Sequence, residues 1–252
     1  MSRFARAKAL LPKASRVFRP HTEKRFFLLS INEVKESKVL ITGRSTKPKR
    51  TKNRKAISKS EVLIHKGEKY ILNAKKSGIY PKIAHDMIEQ LELCLVKWKR
   101  VLVVRFDLHV KHYTPNNKQV SKFRKNLQRR LERKYQMLDI GYTWAREVEE
   151  AKAQHYHFAL FLDGDKVRHS QKILEMVEST WKGVHHENHV PVIPKPYHFI
   201  NSPESKAEAV YRISYLAKVR GKGYRNPRAN DYGTSQLRTP FKLNNKSRQQ
   251  YG

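Results

Sequence analysis

The stretch Gln154-His155-Tyr156-His157-Phe158-Ala159-Leu160-Phe161-Leu162-Asp163 decides how the rest of the chain is interpreted. The run is short and aromatic-rich and is followed by turn residues, a pattern typical of a buried β-strand. Because side chains alternate along a strand, His155 and His157 point to the same face, close enough to share one metal ion. A buried strand seldom carries two imidazoles on one face without a partner for them. The alternative is a polar strand end whose histidines are hydrogen-bonded at the rim of the sheet.

The strand before this run supplies a third candidate donor. Residues 141–148 are predicted to form a strand that pairs with the dihistidine strand through a tight turn. Across that hairpin Glu147 lies nearly opposite His155, so the sequence predicts a His-His-Glu set. Two nitrogens and one carboxylate leave coordination positions open, which is typical of a catalytic site. Glu149 and Glu150 are rivals for this position, and a cross-strand salt bridge is the alternative role for Glu147.

The order of predicted elements indicates an α+β fold. Strands are predicted over 101–110, 141–148, 155–163 and 197–200, and helices over 117–135, 170–181 and 205–219. This β-α-β-β-α-β order, followed by one more helix, is that of a ferredoxin-like split βαβ layout with a central antiparallel sheet.

Upstream and downstream of this core the pattern changes. Short strands are predicted at 26–31 and 38–42, then a hairpin around Lys66-Gly67-Glu68 and an amphipathic helix opened by Pro81. We therefore predict three parts: a basic N-terminal accessory region over 1–97, a catalytic domain over 98–222 and a flexible basic tail over 223–252.

The charge of the chain points to a polyanionic partner. The formal net charge is +32 in 252 residues, which favours nucleic acid over a membrane surface. No apolar run approaches the roughly 20 residues that a membrane span needs, and the single cysteine suits a reducing cytoplasm. Phosphate contacts are predicted for a basic arm over 47–59 and for the basic helix over 117–135. The candidate DNA-binding residues are Lys49, Arg50, Arg124, Lys125, Arg129 and Arg130.

The last predicted helix carries two phenols and an ammonium group. On a continuous helix, Tyr211 and Tyr215 stack one turn apart and Lys218 falls on the same stripe. A phenol can act as a nucleophile that forms a covalent intermediate, and a nearby lysine can hold a phosphate or assist the proton. The alternative is that both tyrosines are ordinary core or rim residues.

These stretches resemble the motifs of a known superfamily. His155-Tyr156-His157 resembles the histidine–hydrophobe–histidine motif of the HUH endonucleases, which include rolling-circle replication initiators, and Tyr215-Leu216-Ala217-Lys218 resembles their tyrosine-x-x-lysine motif. With Arg105-Phe106-Asp107-Leu108-His109, the chain is most similar to inovirus replication proteins and the YagK/YfjJ C-terminal family. The resemblance covers roughly residues 100 to 220. One phage group of this superfamily carries two tyrosines four residues apart, each followed by a lysine. Tyr211 and Tyr215 have that spacing, but Tyr211 departs from the pattern because no lysine follows it at the matching position.

The resemblance implies a metal-dependent endonuclease and strand transferase acting in phage DNA replication. His155, His157 and Glu147 would hold Mg²⁺ or Mn²⁺, and Tyr215 would cut single-stranded origin DNA, leaving a 5′-phosphotyrosine and a free 3′-hydroxyl. Lys218 would assist, and Tyr211 is a candidate second nucleophile. Asp107 or His109 would border the metal, but the favoured alternative for these two residues is a plain hydrogen-bonded strand pair. The absence of a Gly-x-x-x-x-Gly-Lys-Ser/Thr motif implies that a host helicase unwinds the DNA. The expected location is the cytoplasm of a bacterial host of a phage, prophage or other mobile element.

Three other functions compete with this expectation. The first is a catalytically idle DNA-binding regulator on the same scaffold, and the second is a HUH transposase acting on hairpin ends. The third is a zinc site built from His185, His186 and His189, a cluster in a polar loop without cysteines.

Overall fold

The observed helices and strands follow the predicted order along the described part of the chain. The computed structural model describes residues 56–148, 153–222 and 229–238, all within one compact unit, Thr51–Gly252. The strands are β1 (Val62–His65), β2 (Glu68–Ile71), β3 (Val101–His109), β4 (Gly141–Glu147), β5 (His155–Asp163), β6 (Tyr197–Ile200) and β7 (Tyr232–Thr234). The helices are α1 (Pro81–Lys97), α2 (Lys118–Tyr135), α3 (Gln171–Lys182) and α4 (Pro203–Ile213), and a 3₁₀ turn spans Ser214–Ala217.

A five-stranded sheet forms the centre of the unit. Its order is β6-β3-β5-β4-β7, and every neighbouring pair is antiparallel. The dihistidine strand β5 is the middle strand, and it pairs along its whole length with β3. The fold is therefore α+β, with helices packed on an antiparallel sheet, as the element order predicts.

The two faces of the sheet belong to different hydrophobic cores. On β5, Ala159 and Phe161 share a core with residues of α1 and α4, whereas Phe158 packs with residues of α2 and α3. Since alternate side chains point to opposite faces, His155 and His157 lie on the face of Ala159 and Phe161. The dihistidine pair is thus on the α1 and α4 side of the sheet, and α2 covers the opposite side.

Local sequence explains how the hairpin and α1 form. Lys66 and Gly67 join β1 to β2 with φ angles of 50° and 85°, and consecutive positive angles are the requirement of a type I′ hairpin turn. Pro81 stands in the first turn of α1, where its missing N–H costs no hydrogen bond. Both the predicted hairpin and the predicted helix are confirmed.

The observed packing differs from the predicted division of the chain at two places. The boundary predicted between residues 97 and 98 falls inside a single core, because Leu91 of α1 and Val103 of β3 belong to the same hydrophobic cluster. In the segment predicted as a flexible tail, Tyr232–Thr234 form β7 and pair with β4. The predicted strands at 26–31 and 38–42, and Lys49 and Arg50 of the basic arm, lie outside the described residues.

No helix in the described ranges combines the length and the apolar character needed to cross a membrane.

Candidate active site

The β4–β5 hairpin brings three donor side chains to one end of the sheet. Glu147 stands directly opposite His155 in the register, as the hairpin pattern predicts. On the other side of β5, Asp107 of β3 stands opposite His157 and His109 stands opposite His155. The rivals Glu149 and Glu150 lie outside the described residues.

Glu147, His155 and His157 are spaced as ligands of one metal ion are. The Oε2 atom of Glu147 lies 3.1 Å from Nε2 of His157 and 3.7 Å from Nε2 of His155. Donors bound at about 2.0–2.1 Å to one ion are about 2.9 Å apart in octahedral and about 3.3–3.4 Å apart in tetrahedral geometry. The shorter distance lies between these two values and the longer one slightly exceeds them. One ligand atom from each residue lies within 4.8 Å of the other two. The three side chains therefore fit a divalent cation with positions left open for a substrate.

Asp107 fixes the orientation of His157. Its Oδ1 atom lies 2.7 Å from Nδ1 of His157 and accepts a 2.8 Å hydrogen bond from Nη1 of Arg105. Nη2 of Arg105 lies 3.1 Å from Nδ1 of His157 and can only donate, but a carboxylate only accepts, so the shorter contact with Asp107 favours a proton on Nδ1. The lone pair of Nε2 then faces Glu147, which is the arrangement that outer carboxylates impose on metal-binding histidines.

The Nε2 atom of His157 is buried and has no hydrogen-bond partner among the described residues. Its contact with Glu147 meets the distance of an ion pair but not the geometry of a hydrogen bond. A buried polar atom without a partner costs free energy. Nine other buried side-chain atoms of the described residues also lack one, so Nε2 of His157 points to a metal only together with the spacing of Glu147 and His155. A cation between this nitrogen and Glu147 would remove that cost, which is why we regard the residues as suited to a metal.

The charges around Glu147 keep it ionised. Burial alone would raise the pKa of Glu147, but the neighbouring imidazoles of His155 and His157 and the ammonium of Lys222 lower it well below its usual range. Burial opposes a charge on His157 as well, yet Asp107 and Glu147 outweigh it and raise the pKa of this imidazole. The site therefore attracts positive charge, whether a proton or a metal ion.

Lys222 is a site residue that the sequence motifs do not reveal. Its Nζ atom lies 2.7 Å from Oε1 of Glu147 and 2.6 Å from the carbonyl oxygen of Lys218, and its side chain is 1% exposed. Gly221 precedes it with φ of 69°, and a Cβ atom there would come within 2.9 Å of Cβ of Glu147. The sequence contains 54 lysines and arginines, so the position of one lysine does not predict a site residue. Gly221 is the local feature that could have indicated a close approach of the backbone to Glu147.

Tyr215 lies against the dihistidine pair. Its ring meets the ring of His157 edge-on, with centroids 5.0 Å apart. Arg105 Cζ and Lys218 Nζ each lie 5.3 Å from the centroid of the tyrosine ring. Burial raises the pKa of Tyr215 and the charge of Glu147 raises it further, so the phenol is protonated at neutral pH in the absence of an added cation.

The backbone that carries Tyr215 differs from the predicted helix. α4 ends at Ile213, Ser214–Ala217 form a 3₁₀ turn, and Lys218 has left the helical conformation with ψ of 146°. The prediction of one helix over 205–219 is therefore wrong at its end. The Oγ atom of Ser214 accepts a 2.8 Å hydrogen bond from the N–H of Asn73, which ties the turn to the segment after β2. The single stripe predicted for Tyr211, Tyr215 and Lys218 does not form, because it requires a continuous helix.

Tyr211 differs from Tyr215 in its surroundings. It lies within α4 and is partly exposed. Within the described part of the chain, the ring of Tyr215 contacts the ring of His157, and no ring contact joins Tyr211 to either histidine. Of the two candidate nucleophiles, Tyr215 is the one with a described ring contact to the dihistidine pair.

The predicted DNA-binding residues of α2 lie on the sheet face opposite the donor set. Lys125 and Arg129 are exposed. Arg124 contacts the hydroxyl of Tyr142, and Arg130 donates hydrogen bonds of 2.8 and 2.7 Å to the hydroxyls of Ser179 and Thr180. Arg124 and Arg130 therefore also hold the fold together. A groove of about 540 Å³ between α2 and α3 is lined in part by Arg130, Arg133, Lys134 and Lys172.

The histidine-rich loop does not gather its three imidazoles. The rings of His185 and His186 stack on each other 4.8 Å apart, whereas the ring of His189 lies 4.9 Å from that of His109. Two groups of side chains among the described residues are close enough to hold a metal ion, and neither contains His185, His186 or His189.

Comparison with known proteins gives one match. No curated protein and no solved structure matches the chain. The pattern of the YagK/YfjJ C-terminal domain matches residues 65–235, from the end of β1 to just beyond β7. That match spans more than half of the 252 residues. It includes β2 and α1, which the sequence predicted to lie in the accessory region over 1–97, and the edge strand β7. The chain therefore belongs to the YagK/YfjJ C-terminal domain family.

Proposed function

We propose that this protein is a metal-dependent DNA strand transferase of the HUH type that starts rolling-circle replication. The observation that carries the proposal is the contact between Tyr215 and His157, whose buried Nε2 atom lacks a hydrogen-bond partner. A nucleophile and a candidate metal ligand thus stand side by side in a strongly basic chain. The strand order β6-β3-β5-β4 supports a ferredoxin-like HUH domain, because it is the order expected of a split βαβ layout.

In this proposal Glu147, His155 and His157 hold Mg²⁺ or Mn²⁺. When bound, the ion would polarise a nonbridging phosphate oxygen and so favour attack at phosphorus. Asp107 keeps the proton of His157 on Nδ1, which leaves Nε2 free for the ion. Lys222 holds the other oxygen of Glu147 and thereby orients the carboxylate toward the histidines.

The covalent step belongs to Tyr215. Its phenol oxygen forms a bond to phosphorus while the bond from phosphorus to the 3′-oxygen breaks. The phenol loses its proton and the departing 3′-oxygen gains one, so the products are a 5′-phosphotyrosine and a free 3′-hydroxyl. Arg105 and Lys218 are positively charged and lie next to the ring, where they favour the phenolate and the developing charge of the phosphate. Tyr211 is not required for this first step.

The substrate in this proposal is single-stranded origin DNA. Lys125 and Arg129 on α2, together with Lys49 and Arg50, would contact phosphates outside the cleavage site. A host helicase would separate the strands, since the sequence has no phosphate-binding loop of the Gly-x-x-x-x-Gly-Lys-Ser/Thr type. The corresponding location is the cytoplasm of a bacterium that carries the phage or prophage.

The test is formation of a covalent protein–DNA adduct. Labelled single-stranded DNA with Mn²⁺ should give a band of reduced mobility on a denaturing gel, and peptide mapping should place the nucleotide on Tyr215. Tyr215→Phe should abolish the adduct, whereas the matched change Tyr211→Phe should leave it. An adduct that survives Tyr215→Phe, or survives chelation of the metal, would contradict the proposal.

One observation favours a second function, a DNA-binding regulator without cleavage. The ammonium of Lys222 already neutralises part of the charge of Glu147, so the hairpin has a resident cation without any metal. Such a regulator would bind DNA with a steep salt dependence and form no adduct. The adduct experiment therefore separates the two functions.

A further inference from the structure

A second cluster of metal-binding side chains lies on the β1–β2 hairpin and α1. His65 comes from β1, and His85, Glu89 and Glu92 lie on α1 at spacings that put them on one helix face. One ligand atom each from His65, Glu89 and Glu92 lies within 4.8 Å of the others. None of these side chains belongs to the Glu147 site.

We propose that His65, Glu89 and Glu92 form a second metal site that takes Zn²⁺. Nε2 of His65 lies 3.1 Å from Oε2 of Glu89 and 3.5 Å from Oε2 of Glu92. Ligands bound at about 2.0–2.1 Å to a tetrahedral zinc ion are about 3.3–3.4 Å apart, and the two observed distances lie on either side of that value. The set would supply one nitrogen and two carboxylate oxygens, and water would complete the tetrahedron.

The position of His85 explains how His65 is held for this role. The Nδ1 atoms of the two imidazoles are 2.9 Å apart, so one of them donates a hydrogen bond to the other. If His65 donates, its Nε2 carries a lone pair that faces two carboxylates, an arrangement that requires a cation between them. This is the pattern of metal-binding histidines, whose second ring nitrogen is fixed by an outer partner. If His85 donates instead, Nε2 of His65 is protonated and donates the 3.1 Å hydrogen bond to Oε2 of Glu89, so the cluster is satisfied without metal.

Other contacts orient Glu92 toward His65 and compete for Glu89. The hydroxyl of Tyr70 donates to Oε1 of Glu92, which leaves Oε2 directed at the imidazole. Lys66 contacts Oε2 of Glu89, but its side chain is 59% exposed and can withdraw into solvent when a metal ion binds. The side chain of His65 is only 9% exposed, so the nitrogen donor has no comparable alternative in water.

The nature of the ligands fits zinc. One imidazole nitrogen and two carboxylate oxygens, at distances that fit tetrahedral coordination, are a ligand set that Zn²⁺ accepts. A zinc ion here would join the hairpin to α1, since His65 and the glutamates come from different elements. Its role is structural in this proposal, and it is independent of DNA cleavage.

The test counts bound zinc by elemental mass spectrometry after the full chain is stripped with a chelator and dialysed against ZnCl₂. In a His157→Gln background, which removes a ligand of the other site, one equivalent should remain. Adding His65→Phe, whose ring fills similar space but cannot bind metal, should remove it. Adding His169→Gln, a change of an exposed histidine outside both clusters, should leave it. His85→Phe should weaken zinc affinity about 10–100-fold.

Two further measurements separate loss of the zinc ligand from loss of the fold. Glu89→Gln keeps His65 in place and should also remove the zinc, with circular dichroism confirming an unchanged fold. Zinc should slow hydrogen exchange of β1 and β2 amides in the wild type and not in Glu89→Gln. Equal zinc content with and without His65→Phe, or hairpin protection that survives Glu89→Gln, would overturn the proposal. Adduct formation with Mn²⁺ should persist in Glu89→Gln, so this test and the test of DNA cleavage fail independently.

Discussion

Lys222 and Glu147 form an ion pair of 2.7 Å in which the two side chains are 1% and 4% exposed. The pair joins the segment after the 3₁₀ turn to the end of β4. The same carboxylate faces His157 through its other oxygen, so one side chain links the stability of the fold to the candidate metal site.

Replacing Lys222 with Met should destabilise the protein by about 3 kcal/mol, because removing one partner leaves a buried charge uncompensated. Urea unfolding monitored by circular dichroism measures the loss. Saturating Mn²⁺ should restore part of it, since a metal ion would again neutralise Glu147. The control is Lys182→Met, which removes an exposed pair with Glu178 and should change the free energy of unfolding by less than about 0.5 kcal/mol. Equal losses in the two variants would contradict a special role for Lys222.

Replacing Asp107 with Asn should weaken Mn²⁺ binding about 10–100-fold, because the carboxylate no longer fixes the proton of His157 on Nδ1. Calorimetric titration measures the affinity directly. Asp139→Asn, a change of a carboxylate that pairs with Lys97 at the surface, is the matched control and should leave the affinity unchanged. Unaltered Mn²⁺ affinity in Asp107→Asn would show that the histidine needs no such partner.

Removing a positive charge from α2 should weaken DNA binding without changing its chemistry. Lys125→Ala should reduce the slope of log affinity for single-stranded DNA against log salt by about 0.7, the value for one lost phosphate contact on a single strand. Fluorescence anisotropy across a salt titration measures the slope. Lys69→Ala, which removes an exposed lysine from β2, should leave it unchanged. A slope that responds equally to both variants would mean that the protein binds DNA through its overall charge and not through α2.

The His109 imidazole should make folding less favourable in mild acid. Burial, with the nearby His155 and His189 rings, lowers the pKa of His109 from 6.5 to about 4. Between those pH values the unfolded chain binds more protons than the folded chain, so the free energy of unfolding falls as the pH drops from about 6.5 to about 4. Because the ring is half-buried, solvent screening reduces the contribution to about 1 kcal/mol.

The measurement is urea unfolding at pH 7.5 and at pH 4.5 in the presence of a chelator. The wild type should lose about 1 kcal/mol more than His109→Gln over this interval. His169→Gln, a change of an exposed histidine, should follow the wild type. A pH dependence that His109→Gln leaves intact would assign the effect to other groups.

Much of the site could be predicted because it depends on local periodicity. Alternation along β5 puts His155 and His157 on one face whatever surrounds the strand, and a short hairpin sets Glu147 against His155. The helices α1, α2 and α3 were predictable for the same reason, because each has an apolar stripe at helical spacing. The outer support of His157 was predictable only in part, since the strand pattern put Asp107 near the site but could not reveal its 2.7 Å contact.

The sequence alone determined the strand that carries the two histidines, the hairpin partner that brings Glu147, and the excess of positive charge. Tertiary structure decided the end of α4, the approach of Tyr215 to His157, the burial of Lys222 against Glu147 and the pairing of β7 with β4. The physical reason is the range of the interactions. A repeat of two or 3.6 residues is visible in residues that are close in sequence. The end of α4, where Ser214 bonds to Asn73, and the burial of Lys222, 75 residues from Glu147, depend on contacts that exist only once the chain has folded.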